Sequence, residues 1–451
     1  MEKFTDAEWA ACLKVLHHLK EHPYDNPDNE QFKTLITGIY KQARKTVRKE
    51  TEQHRRAEDL VVLFNTRIAQ DAIANTATFS VAEESNVHTY QEVKRQVNCY
   101  ICGAGYREVH FFYNRLCPAC AEFNYAQRSV AADLTGRNVI LTGGRVKIGY
   151  AAALKFLRNG ANLVLTTRFP ALALEQLQQE PDYAEWQDRL LLYGLDLRNL
   201  KAVDTFIRDM RQHFGHLDIL VNNAAQTIQY PAAYYQPLLQ KEQQLLLHAP
   251  SDQLLPNTTP LAGALALPEA TASELPGFTP NRFGQPVDPR DKNSWNATLE
   301  EVDTYELLEV NLINHISPYL LIRELMPLFR ASVQAQKFII NVSSSEGQFS
   351  YDRKTIFHPH TNMTKAALNM LTRTSAPQLL DEGVYMNSVD VGWVSTGAVE
   401  RLRTVQFEQG YIPPLDPVDG AARILHPIAE LLQGGEAWSG VLLKNYRKVD
   451  W

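Results

Sequence analysis

Four of the five cysteines fall into two pairs of equal spacing, Cys99-Tyr-Ile-Cys102 and Cys117-Pro-Ala-Cys120. A CxxC knuckle points two thiolates at one point, and two knuckles complete a tetrahedral four-sulfur site of the zinc-ribbon kind. Buried apolar cysteines would not require such regular pairing. The expected ligands are Cys99, Cys102, Cys117 and Cys120, and the expected zinc is structural, because four thiolates leave no open position for water or substrate. A second stretch with chemical content is ILTGGRVKIGYAAALKFLRNGA, residues 140–161. Its glycines follow a strand-like run and lead into a helix, so backbone N–H groups and the helix N-terminus can approach a pyrophosphate. A third is HPHTNMTKAAL, residues 358–368, where two histidines precede a lysine on a helical pattern.

The elements that would hold these residues are legible from periodicity. At 451 residues the chain exceeds one ordinary domain, and 45% hydrophobic with 21% charged residues fits a globular protein. A net charge of −6 argues against nucleic acid or an anionic membrane as partner. No apolar run is long enough to span a bilayer, and the first residues carry no apolar signal-peptide core. A cytoplasmic, reducing address is expected. Residues 1–95 read as helical. Thr5 and Glu8 form a candidate capping box, with Trp9, Cys12, Leu13, Leu16 and Leu19 at helical spacing, and Phe32, Leu35, Ile36, Ile39, Tyr40 and Ala43 repeat that pattern. Cys12, the unpaired cysteine, is expected to pack within its helix. The basic stretch KQARKTVRKETEQHRR reads as a solvated helix face rather than a nucleic-acid contact, since acids follow and no aromatics interleave. Residues 96–124 form the zinc-ribbon-like module. From residue 134 onward, short β-branched runs alternate with amphipathic segments, which argues for an α/β, doubly wound Rossmann-type parallel sheet. The alternation lapses between about 228 and 298 in a proline-rich insertion. It reads either as irregular chain draped over the domain or as a lid or assembly arm.

Taken in order, the motifs of residues 134–451 resemble those of the short-chain dehydrogenase/reductase superfamily. Thr142, Gly143 and Gly149 match its TGxxxGxG turn, with Arg145, Lys147 and Ile148 between, and Lys147 replaces the middle glycine. The resemblance implies that Asp196 contacts the adenine amino group, with Leu197 beside it. Asn223 and Ala224, within Asn222–Ala225, would shape the adenosine side. Gly392, Val394 and Thr396 match the PGxxxT loop beside the nicotinamide, with Val391 in place of proline. Arg168 closes the second strand, where an acid would suit NAD and an arginine suits the 2′-phosphate of NADP. With Arg145 as a second charge, NADP is the expected cofactor and NAD the alternative.

The resemblance also implies catalytic roles for Ser344 (with Ser343 and Ser345 as register alternatives), Asn311 and Lys365, which would also hold the nicotinamide ribose. The family's general acid, a tyrosine four residues before the lysine, is replaced by Thr361. An aliphatic hydroxyl has a pKa far above the phenol's value of about 10, so it is poorly matched to proton transfer near neutrality. Three residues could supply the proton instead: His358, His360 and Tyr351. Histidine titrates near neutrality. Related dienoyl reductases use an upstream tyrosine, and enoyl reductases place theirs about where His358 stands. The reading is an NADP(H)-dependent oxidoreductase acting on a carbonyl or conjugated enoyl substrate. The alternative is a cofactor-binding scaffold or redox sensor that recruits a protein partner through the zinc ribbon or insertion. A homo-oligomer is expected.

Overall fold

The computed structural model describes residues 4–25, 29–76, 89–247, 254–255, 281–288, 290–350 and 354–451. Tyr351 lies outside the described residues. The chain divides into a smaller unit, residues 1–61 with 93–95, and a larger one containing the remainder.

In the smaller unit the capping box forms as expected: Thr5 Oγ1 accepts from Glu8 N, and the Glu8 carboxylate accepts from Thr5 N at 2.8 Å. The helix Asp6–Glu21 follows, then most of the long helix Asn29–Phe64. Asp59, buried, accepts from Lys94 N at 2.5 Å and from Arg95 Nε at 2.8 Å. The apolar pattern marks helix but not core. Among the expected packing positions Leu19 is buried, whereas Trp9, Leu13, Leu35, Ile36, Ile39 and Tyr40 are exposed. Cys12 is exposed as well, contrary to expectation. Helical periodicity reports an amphipathic face, and a face need not be covered by its own chain.

An antiparallel hairpin, β1 (Tyr90–Asn98) and β2 (Gly105–His110), belongs to the larger unit except for residues 93–95 of β1, and the helix Pro118–Arg128 follows it. The turn of the hairpin and the start of the helix carry the four paired cysteines. The main sheet comprises β3 (Asn138–Thr142), β4 (Asn162–Thr167), β5 (Leu190–Gly194), β6 (Ile219–Asn222), β7 (Leu254–Leu255), β8 (Lys337–Ser343), β9 (Val384–Asp390), β10 (Leu442–Lys444) and β11 (Arg447–Val449). Their spatial order is β11-β10-β9-β8-β6-β3-β4-β5-β7, parallel except for the β10–β11 hairpin. Both faces are covered, which is why the strands read as nearly continuous apolar runs. Val139 and Leu141 enter one core with the helices Lys147–Arg158 and Pro417–Leu432, while Ile140 enters the other with Phe206, Leu321 and Phe329.

From β3 the chain winds outward through β4 and β5, then crosses back to β6 on the other side. That reversal opens a crevice at the carboxyl ends of the central strands, where ligands of doubly wound sheets bind. The described residues of the insertion include regular structure. They contain the helix Ala232–Leu246, and Leu254–Leu255 pairs in parallel with Leu192 and Tyr193 as the sheet's outermost strand. No helix among the described residues is long and apolar enough to cross a membrane.

Candidate active site

β3 ends in the turn that leads to the helix Lys147–Arg158. A Cβ on Gly143 (φ 73°) would lie 2.9 Å from Ala224 Cα, and one on Gly149 would lie 2.0 Å from Gly143 O. Both positions therefore exclude any side chain. Asn223 Nδ2 donates to the carbonyls of Thr142 (3.0 Å) and Gly143 (2.9 Å), while Thr142 Oγ1 accepts from the backbone N of Asn223 and Ala224. These bonds lock the ends of β3 and β6 together and leave a cleft of about 350 Å³. Arg145, Lys147, Ile148, Arg168, Asp196, Leu197, Asn223 and Ala224, all expected cofactor contacts, line it.

Lys147 keeps the glycine's conformation at φ 52°. A left-handed non-glycine residue costs roughly 1–2 kcal/mol. Its ammonium sits 5.5 Å from the centre of the Phe283 ring, and burial, with Arg282 and Arg403 nearby, pushes its pKa down to about 8. The lysine therefore lines the cleft, as a phosphate ligand would. Lys147→Gly is expected to raise stability by about 1 kcal/mol in thermal melts and to weaken binding of a pyrophosphate-containing cofactor. An anion favours the charged lysine, so wild-type affinity falls as pH rises through about 8. Lys365 titrates in the same range, so the glycine variant should lose only part of that step.

At one end of the cleft, Arg168 lies over Tyr235 (4.6 Å) and Phe169 (5.7 Å), and Arg145 also lies near the Phe169 ring (5.4 Å) while donating to Gly284 O at 3.2 Å. Burial and the charge of Arg168 push Arg145 down to about 10. Asp196 does not neutralise this pair, because Arg198 holds its carboxylate at 2.6 Å. The wall comes from the insertion: Tyr235 lies on the helix Ala232–Leu246, anchored where Glu242 accepts from Ala171 N (2.7 Å) and Leu172 N (2.8 Å). A carboxylate there satisfies otherwise free donors at the start of the helix Pro170–Leu177.

At the other end, β8 delivers Ser343, whose Oγ is buried with no partner among the described residues. Ser344 Oγ accepts from Glu346 N (3.3 Å), and Ser345 is occupied by Asp390 (2.7 Å) and Lys444 (2.8 Å). The turn packs tightly on the helix Pro359–Leu380: a Cβ on Gly347 would lie 2.5 Å from the Lys365 carbonyl carbon. Lys365 Nζ donates to Val342 O at 2.7 Å, and burial pushes its pKa down to about 8. Thr361 Oγ1, in the tyrosine's place, is buried without a partner.

The histidines separate. His360 is buried with Nε2 3.5 Å from Glu306 Oε1, on the helix Thr304–Asn311, and neither of its ring nitrogens makes a hydrogen bond among the described residues, so its position rather than its bonding separates it from His358. It stands five residues before Lys365, which turns it about 140° away around the helix. His358 caps the helix at φ 42°, its ring stacked on Trp295 (4.9 Å, 19°). Its Nδ1 lies 2.9 Å from Trp295 O. A carbonyl only accepts, so Nδ1 carries the hydrogen and Nε2 is the nitrogen left to gain or lose a proton. Nε2 is buried with no hydrogen-bond partner among the described residues, 3.8 Å from Glu346 Oε2.

The two asparagines of this helical stretch have different partners. Asn311 donates back to Leu307 O at 2.6 Å, within its own helix. The next five residues, Leu312–Ile316, form a π-helical turn, and Asn314 inside it is buried. Asn314 Oδ1 accepts from Gln226 N (2.8 Å), and its Nδ2 reaches Gln226 O (2.9 Å) and Thr364 Oγ1 (3.0 Å). Spacing cannot reveal an extra residue in a helical turn. Trp295, Glu346 and Tyr235 were likewise missed, since nothing in their local sequence marks them. Of the nicotinamide-loop residues, Gly392 (φ 79°) is required because a Cβ would meet Leu415 Cδ1 at 2.5 Å. Val394 is buried, and Thr396 Oγ1 accepts from Ala398 N.

The four thiols of Cys99, Cys102, Cys117 and Cys120 all lie within 4.8 Å of one another. The Cys102–Cys117 separation of 3.7 Å is far too long for a disulfide and close to the edge of a tetrahedron with sulfur ligands at about 2.3 Å from the metal. A hydrogen bond from Ala104 N lowers the pKa of the Cys102 thiol, while burial raises those of Cys117 and Cys120, so it is the sulfur geometry that fits a metal.

Comparison with known proteins agrees with this architecture. The short chain dehydrogenase family profile matches residues 137–240, and the Enoyl-(Acyl carrier protein) reductase profile matches residues 291–412. A protein of Acanthamoeba polyphaga mimivirus, described as uncharacterized protein R665, is 33% identical over 73% of this chain and 71% of its own length. The (+)-neomenthol dehydrogenase of Arabidopsis thaliana is 23% identical over 66% of this chain and 80% of its own. Among solved structures, the Pseudomonas aeruginosa RhlG/NADP complex aligns with a TM-score of 0.45 at 18% identity, covering 69% of this chain and 95% of the other. With the two profiles spanning about half of its length and the motifs converging on one crevice, the chain belongs to the short-chain dehydrogenase/reductase family of NAD(P)-dependent oxidoreductases.

Proposed function

We propose that the protein is an NADP(H)-dependent reductase of a carbonyl or conjugated enoyl substrate in which His358 replaces the family's tyrosine as proton donor. The observation that carries this reading is the His358 ring, whose Nδ1 is pinned to Trp295 O and whose Nε2 is unbonded beside Glu346 and the Ser344 turn. Bound NADPH would supply the hydride. The residues present fit it: Gly143 and Gly149 admit no side chain, and Arg145 and Arg168 line the cleft without a direct ion pair among the described residues.

The chain's own groups then divide the work. Arg145 and Arg168 take the 2′-phosphate, Lys147 the pyrophosphate, and Lys365 the nicotinamide ribose. Ser344 hydrogen-bonds the substrate oxygen. Protonated His358 gives its Nε2 proton to the atom that becomes basic as hydride arrives, and Glu346 stabilises the charged imidazole beforehand. Asn314 and Thr364 hold the floor beneath Thr361. The cysteine quartet holds a structural zinc, supported by its 3.7 Å sulfur spacing.

The test is consumption of NADPH by the purified protein with a panel of ketones, aldehydes and enoyl thioesters. Turnover above that of a Lys365→Met variant supports the reading. NADPH binding without turnover on any of them would favour a cofactor-binding scaffold, the reading to which the unpartnered Thr361 hydroxyl lends weight.

A further inference from the structure

The metal-ligating module is fixed to the catalytic domain in two independent ways. Its body is anchored to the helix Pro417–Leu432. Tyr113 Oη donates to Asp419 Oδ1 (2.6 Å), Arg128 pairs with Asp416 (2.8 Å), and Arg423 donates to Asn124 Oδ1 (2.6 Å). All these partners are buried or nearly so, and none involves a cysteine.

The knuckles make a separate contact. Tyr100, between the ligands Cys99 and Cys102, accepts a hydrogen bond on its Oη from the backbone N of Trp393 at 3.0 Å. Arg115, two residues before Cys117, places its guanidinium 5.5 Å from the Trp393 ring and 5.4 Å from Tyr411, which itself packs on Trp393 at 4.8 Å. The two knuckles are tied to each other, since Tyr100 N donates to Arg115 O at 2.9 Å. Each knuckle therefore presents one side chain to the same tryptophan.

Trp393 lies in the segment that leaves the carboxyl end of β9, and β9 is hydrogen-bonded to β8, the strand that delivers Ser343 and Ser344. The same segment continues to Gly397, where a Cβ would lie 2.6 Å from Trp295 Cε3, and Gly397 O accepts from Asn293 Nδ2 at 2.9 Å. Trp295 is the residue that stacks on His358 and fixes its tautomer. A contiguous line of contacts thus runs from the cysteine cluster through Trp393 and Gly397 to Trp295 and His358.

We infer that the metal centre is a positioning device for the active-site loop 391–397: by holding Tyr100 and Arg115 in place it fixes Trp393, and through Gly397 and Trp295 it sets His358. Tyr100 is a positioning residue in this scheme, since it acts on the site through the loop. Because the module's body is anchored without the cysteines, metal loss loosens the knuckles and this loop while the module stays attached. The inference rests on the assignment of His358 and the cofactor cleft above, and its first test is independent of both.

That test is amide hydrogen exchange across the full chain, comparing the zinc-loaded protein, the same protein stripped by a chelator, and Tyr100→Phe. Elemental analysis should give one zinc per chain in the loaded protein and in Tyr100→Phe. Loss of one net hydrogen bond predicts exchange about five-fold faster in 391–397, first at the Trp393 amide, with 142–149 unchanged. The second measurement is affinity for NADPH against adenosine 2′,5′-bisphosphate, which occupies the adenosine end alone. Both altered forms should bind NADPH several-fold more weakly and the bisphosphate equally well. Unchanged exchange in 391–397 in either altered form overturns the inference, as does acceleration throughout the larger unit. If the loaded protein binds neither ligand, the cofactor reading fails, and the exchange result still decides this one.

Discussion

His358→Ala is expected to lower turnover by about 10²–10⁴-fold, the usual contribution of a positioned general acid. NADPH affinity should be nearly unchanged, because the residue sits at the catalytic end of the crevice. His360→Ala should act differently. That ring is buried against Glu306, so its loss leaves Glu306 short of a partner and reduces stability, with a smaller effect on turnover per folded molecule. Thr361→Ala should cost little, since the hydroxyl makes no hydrogen bond that would be lost. Steady-state kinetics beside thermal melts separate the three. If His358→Ala retains wild-type turnover, His358 is not the donor.

The second large effect is expected at the adenosine end. Removing Arg168 or Arg145 deletes a charge-assisted contact to a 2′-phosphate, worth about 1.5–3 kcal/mol, or roughly 10- to 100-fold in NADPH affinity. NADH lacks that phosphate, so its affinity should change little and the preference between the two cofactors should collapse. Arg168→Ala also uncovers the Tyr235 ring, whereas Arg168→Lys keeps the charge but loses the planar stacking. An order Arg > Lys > Ala in NADPH affinity, measured by fluorescence titration, would distinguish stacking from charge. Equal affinity of the unaltered protein for NADPH and NADH would defeat the assignment.

What the sequence made legible follows a physical rule. Contacts set by backbone geometry were visible: the CxxC pairs imposed their clustering, the glycines of the β3 turn imposed theirs, and the parallel sheet followed from strand–helix alternation. Lys147 was visible as a departure, though only the fold shows it holding the left-handed conformation and lining the cleft. Contacts made across the chain were not visible. Trp295 and Tyr235 come from a stretch whose local pattern is irregular, yet one orients His358 and the other backs Arg168. Asn311 was legible from its place in a motif, but the π-helical turn after it, with Asn314 bonded to Gln226 and Thr364, was not. The exposed apolar positions of the first two helices show the converse, a clear pattern that does not reveal what covers it.

The stacking of His358 on Trp295 has one more consequence. An indole's emission is quenched more strongly by a charged imidazole than by a neutral one at van der Waals range. With the rings 4.9 Å apart and nearly parallel, the emission of Trp295 should follow the charge on His358. The fold thus couples the proposed proton donor to a chromophore of its own, so that the donor's protonation could be followed by light in the resting protein before any substrate is known.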